Sequence, residues 1–164
     1  MSTPEALGII AGNRNLPLLL AREARAAGVK KLVAVAMHGE TEEAIENLVD
    51  ETVWIKVGQL GKLINGFKEH SISECVMVGQ VAPGNLFNLR PDLRAVKLLM
   101  GLKTKNAHSI FGAIAKELSS EGINLIEATP WLQPAMPGEG FTVGPTPTSA
   151  QQADIKFAHQ MAVE

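Results

Sequence analysis

Short apolar runs alternate along this chain with stretches whose apolar residues recur at helical spacing. Residues 7–11 (Leu7, Gly8, Ile9, Ile10, Ala11) read as a buried strand, and Gly12 and Asn13 open a turn because both tolerate left-handed backbone angles. Pro17 sits where a helix begins, and the helical pattern runs to Ala27 before Gly28 stops it. Residues 31–37 predict a second strand. Thr41 is placed to cap a short acidic helix over 42–48. Residues 52–57 predict a third strand of edge character. Leu60, Leu63, Ile64 and Phe67 then share one helical face. Residues 74–79 are read as the central strand of the sheet, leaving at Gly79 into a polar loop broken by Pro and Gly.

The second half is more helical. Residues 92–101 predict a helix carrying Leu93, Val96, Lys97, Leu99 and Met100. Asn106 reads as the cap of a helix over 107–121, with Ile110, Phe111, Ile114, Ala115 and Leu118 facing inward and Gly122 ending it. Residues 123–128 predict a late strand. Residues 129–149, rich in Pro and Gly, read as an ordered functional loop or a linker. An amphipathic helix over about 149–161 follows. Connectors this long imply parallel pairing through right-handed crossovers. The expected fold is α/β: a Rossmann-like, doubly wound, mainly parallel sheet with helices on both faces.

Composition narrows the function classes. At 164 residues the chain suits one domain, residues 1–164. A net charge of −2 supplies no basic field for nucleic acid. Aromatic residues are only 4% and Tyr is absent, so base-stacking platforms are not expected. Cys75 is the single cysteine and lies inside an apolar run, which reads as an inert buried thiol. No apolar run approaches the roughly 18 residues of a membrane span, and the N-terminus carries no signal-like stretch. The expected setting is reducing and cytoplasmic. The chain stops inside a helix after Val163 and Glu164, so the natural protein is expected to continue.

The candidate site lies where strands 1, 2 and 4 end. In a parallel sheet all carboxyl ends share one edge, and ligands collect there. The turn Gly12, Asn13, Arg14, Asn15 leads into a helix start, where backbone amides attract anions. A purely structural turn is the alternative. Gly79 leaves room for a ligand near the backbone, with Gln80 and Val81 following. Arg90 offers a planar donor fork suited to phosphate, or is a surface residue. Asn106 and His108 stand at a helix start that favours neutral imidazole, able to bond a phosphate, a sugar hydroxyl or water, or simply to cap the helix. Glu40 and His38 follow the second strand, where a ribose-binding acid can lie. The chain has neither GxGxxG nor a P-loop Lys-Ser pair, so a nicotinamide-dependent oxidoreductase lacks its main support. The four histidines show no metal-ligand spacing, and no metal-binding residue is assigned.

Several of these stretches resemble one family. The opening at residues 8–17, the run Gly58, Gln59, Leu60, Gly61, Lys62, and the stretch from Gly79 through Leu86 and Phe87 to Leu89, Arg90, Pro91 and Asp92 are similar to UDP-2,3-diacylglucosamine pyrophosphatases of the LpxI type. Residues 128–132 and 153–158 fit the later pattern, so the likeness covers nearly the whole chain. The resemblance implies hydrolysis of UDP-2,3-diacylglucosamine to 2,3-diacylglucosamine 1-phosphate and UMP in lipid A biosynthesis, with Mg²⁺ or another divalent metal. It implies a two-domain enzyme, of which this chain resembles the N-terminal, substrate-binding domain. The family's catalytic acid belongs to the C-terminal domain, so no catalytic residue carries over and the chain alone is expected to be inactive. Partners implied are the UDP-linked diacylated sugar, the C-terminal domain, the inner-membrane periphery through the lipid, and a second copy as homodimer. Many members have Gly-Asp-Asp where this chain has Lys105, Asn106, Ala107, His108, a departure at the position where the family pattern would put an acidic role. The other reading is a non-enzymatic sugar-nucleotide binding module.

Overall fold

Strand and helix alternate as the apolar rhythm requires. The computed structural model describes residues 3–81, 91–104, 106–138 and 140–163. In chain order the elements are β1 (Ala6–Ala11), α1 (Leu16–Ala26), β2 (Lys31–Met37), a 3-10 turn (Glu43–Asn47), β3 (Glu51–Ile55), α2 (Leu60–Glu69) and β4 (Glu74–Val78). They are followed by α3 (Leu93–Met100), α4 (Ala107–Ser120), β5 (Asn124–Leu125), α5 (Thr129–Leu132), a 3-10 turn (Gln133–Ala135) and α6 (Ser149–Val163). The strands form one sheet in the order β3-β2-β1-β4-β5, every neighbouring pair parallel. The doubly wound, Rossmann-like α/β architecture is therefore as expected, with β3 at an edge.

One expectation about the sheet is corrected. The central strand is β1, paired to β2 on one side and β4 on the other. The apolar run of β4 suits a central strand equally well, because both strands are covered on both faces. The physical difference is that the chain winds outward through β2 and β3, then crosses back over β1 to lay down β4. This makes the β1/β4 boundary the point where the winding reverses.

Side chains alternate across the sheet, as strand geometry dictates. Leu7, Ile9 and Ala11 of β1 pack with Leu32, Ala34, Ala36, Val76 and Val78 against α1 and Trp131 of α5. Ile10, Val33, Val35 and Cys75 face the other way, onto Leu60, Leu63, Ile64 and Phe67 of α2, Ala95 of α3 and Leu118 of α4. Helices thus cover both faces. Cys75 is buried in the second layer, and burial pushes its thiol up to about 12, which makes it inert.

Several local expectations change. Thr41 does not cap the acidic turn: its Oγ1 donates to the Ala11 carbonyl at 2.6 Å and accepts from the Met37 amide at 2.9 Å. The turn's N-cap is Glu42, and the turn is 3-10 rather than α. In α3 the buried residue is Ala95, while Leu93 and Met100 are exposed. In α4, Leu118 is buried, Ile110, Ile114 and Ala115 are half-buried, but Phe111 is 51% exposed rather than inward. The late strand pairs only over Asn124–Leu125, extended by the Ile126 amide donating to the Cys75 carbonyl at 2.8 Å. The start of the proline-rich segment is helical, because Trp131 is buried in the α1 layer.

An ion network ties α2, α3 and α4. Lys68 Nζ donates to Glu121 Oε2 at 2.7 Å, Arg94 Nη2 donates to Glu121 Oε1, and Arg94 Nε donates to Glu117 Oε1 at 2.6 Å. The Lys68 hydrogen bond, then that from Arg94, holds the Glu121 carboxyl down at about 2, from an ordinary 4.5. A depressed folded pKa means stabilisation fully present above about pH 4.5 and lost as pH falls through about 2. Glu121→Gln is expected to flatten the acid limb of the stability curve in that window. Urea unfolding of both proteins from pH 7 to pH 2 checks this, and parallel curves would refute it.

The chain divides into two units, residues 1–134 and 135–164. The first holds the sheet. The second holds α6, which buries no residue. No helix among the described residues is long and apolar enough to cross a membrane.

Candidate functional site

The site is built where the winding reverses, at the carboxyl ends of β1 and β4. Open α/β sheets leave a crevice there for ligands. Here its base is zipped. The Gly12 amide donates to the Val78 carbonyl at 2.8 Å, and the Asn13 amide to the Gln80 carbonyl at 2.7 Å, as an antiparallel bridge. Glycine is required on both sides. A Cβ at Gly12 would lie 2.5 Å from the Gln80 carbonyl oxygen, and one at Gly79 would lie 2.8 Å from the Asn13 carbonyl oxygen. Gly79 also has φ 89°, a left-handed angle that side chains resist. The room expected at Gly79 for a ligand is thus taken by the 12–13 backbone. Two amides of the turn are spent on β4 and do not face an anion.

What remains on this edge is side-chain chemistry. Arg14 holds φ 66° and is exposed, as is Asn15 at the head of α1. The loop after β2 lies against the same turn, as expected: Asn13 Nδ2 donates to Glu40 Oε2 at 3.1 Å, and Thr41 reaches the Ala11 carbonyl. Glu40 is only 6% exposed. His38 stacks on Trp54 with ring centroids 5.2 Å apart, and Trp54 Nε1 donates to Glu46 Oε1 at 2.6 Å. Gln80 and Val81 leave the sheet exposed beside this turn.

Arg90, the expected phosphate ligand, lies outside the described residues. Asn106 Oδ1 accepts from the Ser109 amide at 2.8 Å and Ser109 Oγ accepts from the Asn106 amide at 3.2 Å, a reciprocal capping box. The Asn106 side-chain oxygen therefore caps its own helix. His108 is exposed in the first turn of α4.

Asp92 has a role that sequence reading did not assign. Its Oδ1 accepts from the Ala95 amide at 2.9 Å, capping α3, and its Oδ2 accepts from the Gly61 amide at 2.6 Å, at the start of α2. One carboxylate thus serves two helix N-termini, and it explains why Gly61 carries no side chain: a Cβ there would lie 3.0 Å from Oδ2. Each cap is worth about 1 kcal/mol. Asp92→Ala is expected to cost about 2 kcal/mol, and Asp92→Asn about half of that, because the amide oxygen serves only one helix. Urea midpoints measure both; an Asp92→Ala protein as stable as wild type would remove the double cap.

Among the described residues, no group of three or more His, Cys, Asp or Glu side chains is arranged to hold a metal ion. The buried carboxylate on the edge, Glu40, is bonded to Asn13, and the described donor set does not fit a divalent cation.

Fold and edge together define a Rossmann-like α/β domain with a polar, partly aromatic carboxyl edge narrowed where the winding reverses. A family model described as the LpxI N-terminal domain matches residues 6–135. The chain belongs to the LpxI family, which serves lipid A synthesis. No curated protein matches the chain.

Proposed function

We propose that this chain is the substrate-holding domain of a UDP-2,3-diacylglucosamine pyrophosphatase, an enzyme that hydrolyses its substrate to UMP and 2,3-diacylglucosamine 1-phosphate. The match over residues 6–135 carries this reading. The edge supports it: Arg14 supplies an exposed cation, Glu40 and Asn13 supply a part-buried polar pair, and His38 on Trp54 supplies an aromatic face. Phosphoanhydride cleavage needs neutralised phosphate charge and an activated water. Arg14 contributes to the first. The catalytic acid is the one that the resemblance places in the family's C-terminal domain. The working location is the cytoplasmic periphery of the inner membrane, where a diacylated substrate resides.

The test is calorimetric titration of UDP into the protein, with hydrolysis followed by UMP release in Mg²⁺. Wild type is expected to bind UDP, and Arg14→Ala to bind about tenfold more weakly, the lower end for a charge-assisted hydrogen bond. The chain by itself is expected to release UMP far below about 1 per second. Undetectable UDP binding by wild type overturns the proposal, and binding without hydrolysis by the complete natural protein favours a non-enzymatic module.

A further inference from the structure

Asn13 Oδ1 is buried and has no hydrogen-bond partner among the described residues. The same side chain donates through Nδ2 to Glu40 Oε2 at 3.1 Å. A carboxylate accepts and does not donate when ionised, so Glu40 fixes which end of the amide is which. Asn13 therefore presents an oxygen, and only an oxygen, to its other side. That oxygen cannot serve a phosphate, whose oxygens are acceptors too. It calls for a donor, an O–H or an N–H. A buried acceptor left unmatched is costly, and a ligand that supplies the donor recovers that cost on binding.

Position identifies the donor. In sheets of this winding, the acid at the end of the second strand takes a ribose hydroxyl, beside the turn after the first strand. Glu40 holds that acidic position, at the end of β2, yet it receives the Asn13 amide. We infer that hydroxyl reading has passed to Asn13: its Oδ1 accepts a ribose hydroxyl of the bound nucleotide, and Glu40 is the positioning residue that keeps Oδ1 turned toward it. The inference rests on the sugar-nucleotide reading proposed above.

The experiment compares UDP, 2′-deoxy-UDP and 3′-deoxy-UDP by calorimetry on the wild-type chain, Asn13→Ala and Glu40→Gln, with urea midpoints confirming folding. Wild type is expected to prefer UDP over one deoxy analogue by about tenfold, the value of one well-made hydrogen bond. Asn13→Ala is expected to bring that preference to within about twofold while still binding UDP. Glu40→Gln keeps the shape, and its new amide can donate to Oδ1, so the preference should fall there too. A merely structural role for Glu40 would weaken all three nucleotides equally. Should Asn13→Ala not fold, Glu40→Gln carries the test. Nucleotide binding with an unchanged hydroxyl preference in the folded variants overturns this inference and leaves the proposed function standing. No deoxy discrimination by wild type also overturns it. No UDP binding by wild type overturns both.

Discussion

Gly12→Ala is expected to destabilise the domain by about 3 kcal/mol or more, a large share of an ordinary total stability of about 5–15 kcal/mol. The reason is backbone meeting backbone. A methyl group at position 12 would sit 2.5 Å from the Gln80 carbonyl oxygen and 2.8 Å from the Gln80 nitrogen. A side chain can rotate away from such a clash, but these atoms cannot. Relief requires β1 and the β4 exit to separate, which breaks the bonds from the Gly12 amide to Val78 and the Asn13 amide to Gln80. Gly112→Ala is the control. Gly112 lies inside α4, and a methyl group there would meet nothing within 4 Å, so alanine is expected to stabilise by about 0.5–1 kcal/mol. Urea midpoints with unchanged m-values check both. A Gly12→Ala protein as stable as wild type would show that the zipped crevice is not a fixed part of the fold.

That crevice marks how far the sequence could be read. Leu7, Ile9 and Ile10 announce a strand as a short apolar run, and Leu60, Leu63, Ile64 and Phe67 announce a helix because its face repeats every 3.6 residues. Burial of both faces of the strand follows from the unbroken run. The order of strands does not: periodicity says that β4 is buried, and nothing local says which neighbour it takes. Phe111 fits an inward face of α4 by spacing, yet whether that face meets the sheet depends on the angle at which α4 lies. The edge was legible as a place. The loops after β1, β2 and β4 meet there because parallel strands end together. Its contents were not. Asn13 and Glu40 stand 27 positions apart, and Gly61 and Asp92 stand 31 apart. Such pairs carry no spacing rule. Glu40 gave one weak signal, an acid just past the second strand. Gly61 and Asp92 gave only their place in family-like stretches. Gly79 was readable as a glycine that needs space, but not as one whose space is filled by the chain itself.

Phe67→Ala is expected to be at least as damaging as Gly12→Ala, at about 3–5 kcal/mol. Phe67 is fully buried on α2 and its ring covers β1. Its contact there is with a position that has no side chain: a Cβ on Gly8 would lie 2.7 Å from Phe67 Cε1 and 2.8 Å from Ile72 Cγ2. The strand thus gives up a side chain at Gly8 so that a large ring can lie against the sheet centre. Truncating the ring leaves a hole beside a backbone that cannot close it, since Gly8 is locked in register between Val33 of β2 and Cys75 of β4. The reciprocal change, Gly8→Ala, overpacks the same spot and is expected to cost about 1–3 kcal/mol. Gly8 is not at a positive φ, so this cost is purely steric and depends on the ring. Combining Gly8→Ala with Phe67→Leu should therefore cost less than the two single changes added together, by about 1 kcal/mol. Urea unfolding of the two single variants and the double variant measures the coupling. Costs that add to within about 0.5 kcal/mol would mean that the ring and the strand do not share this space.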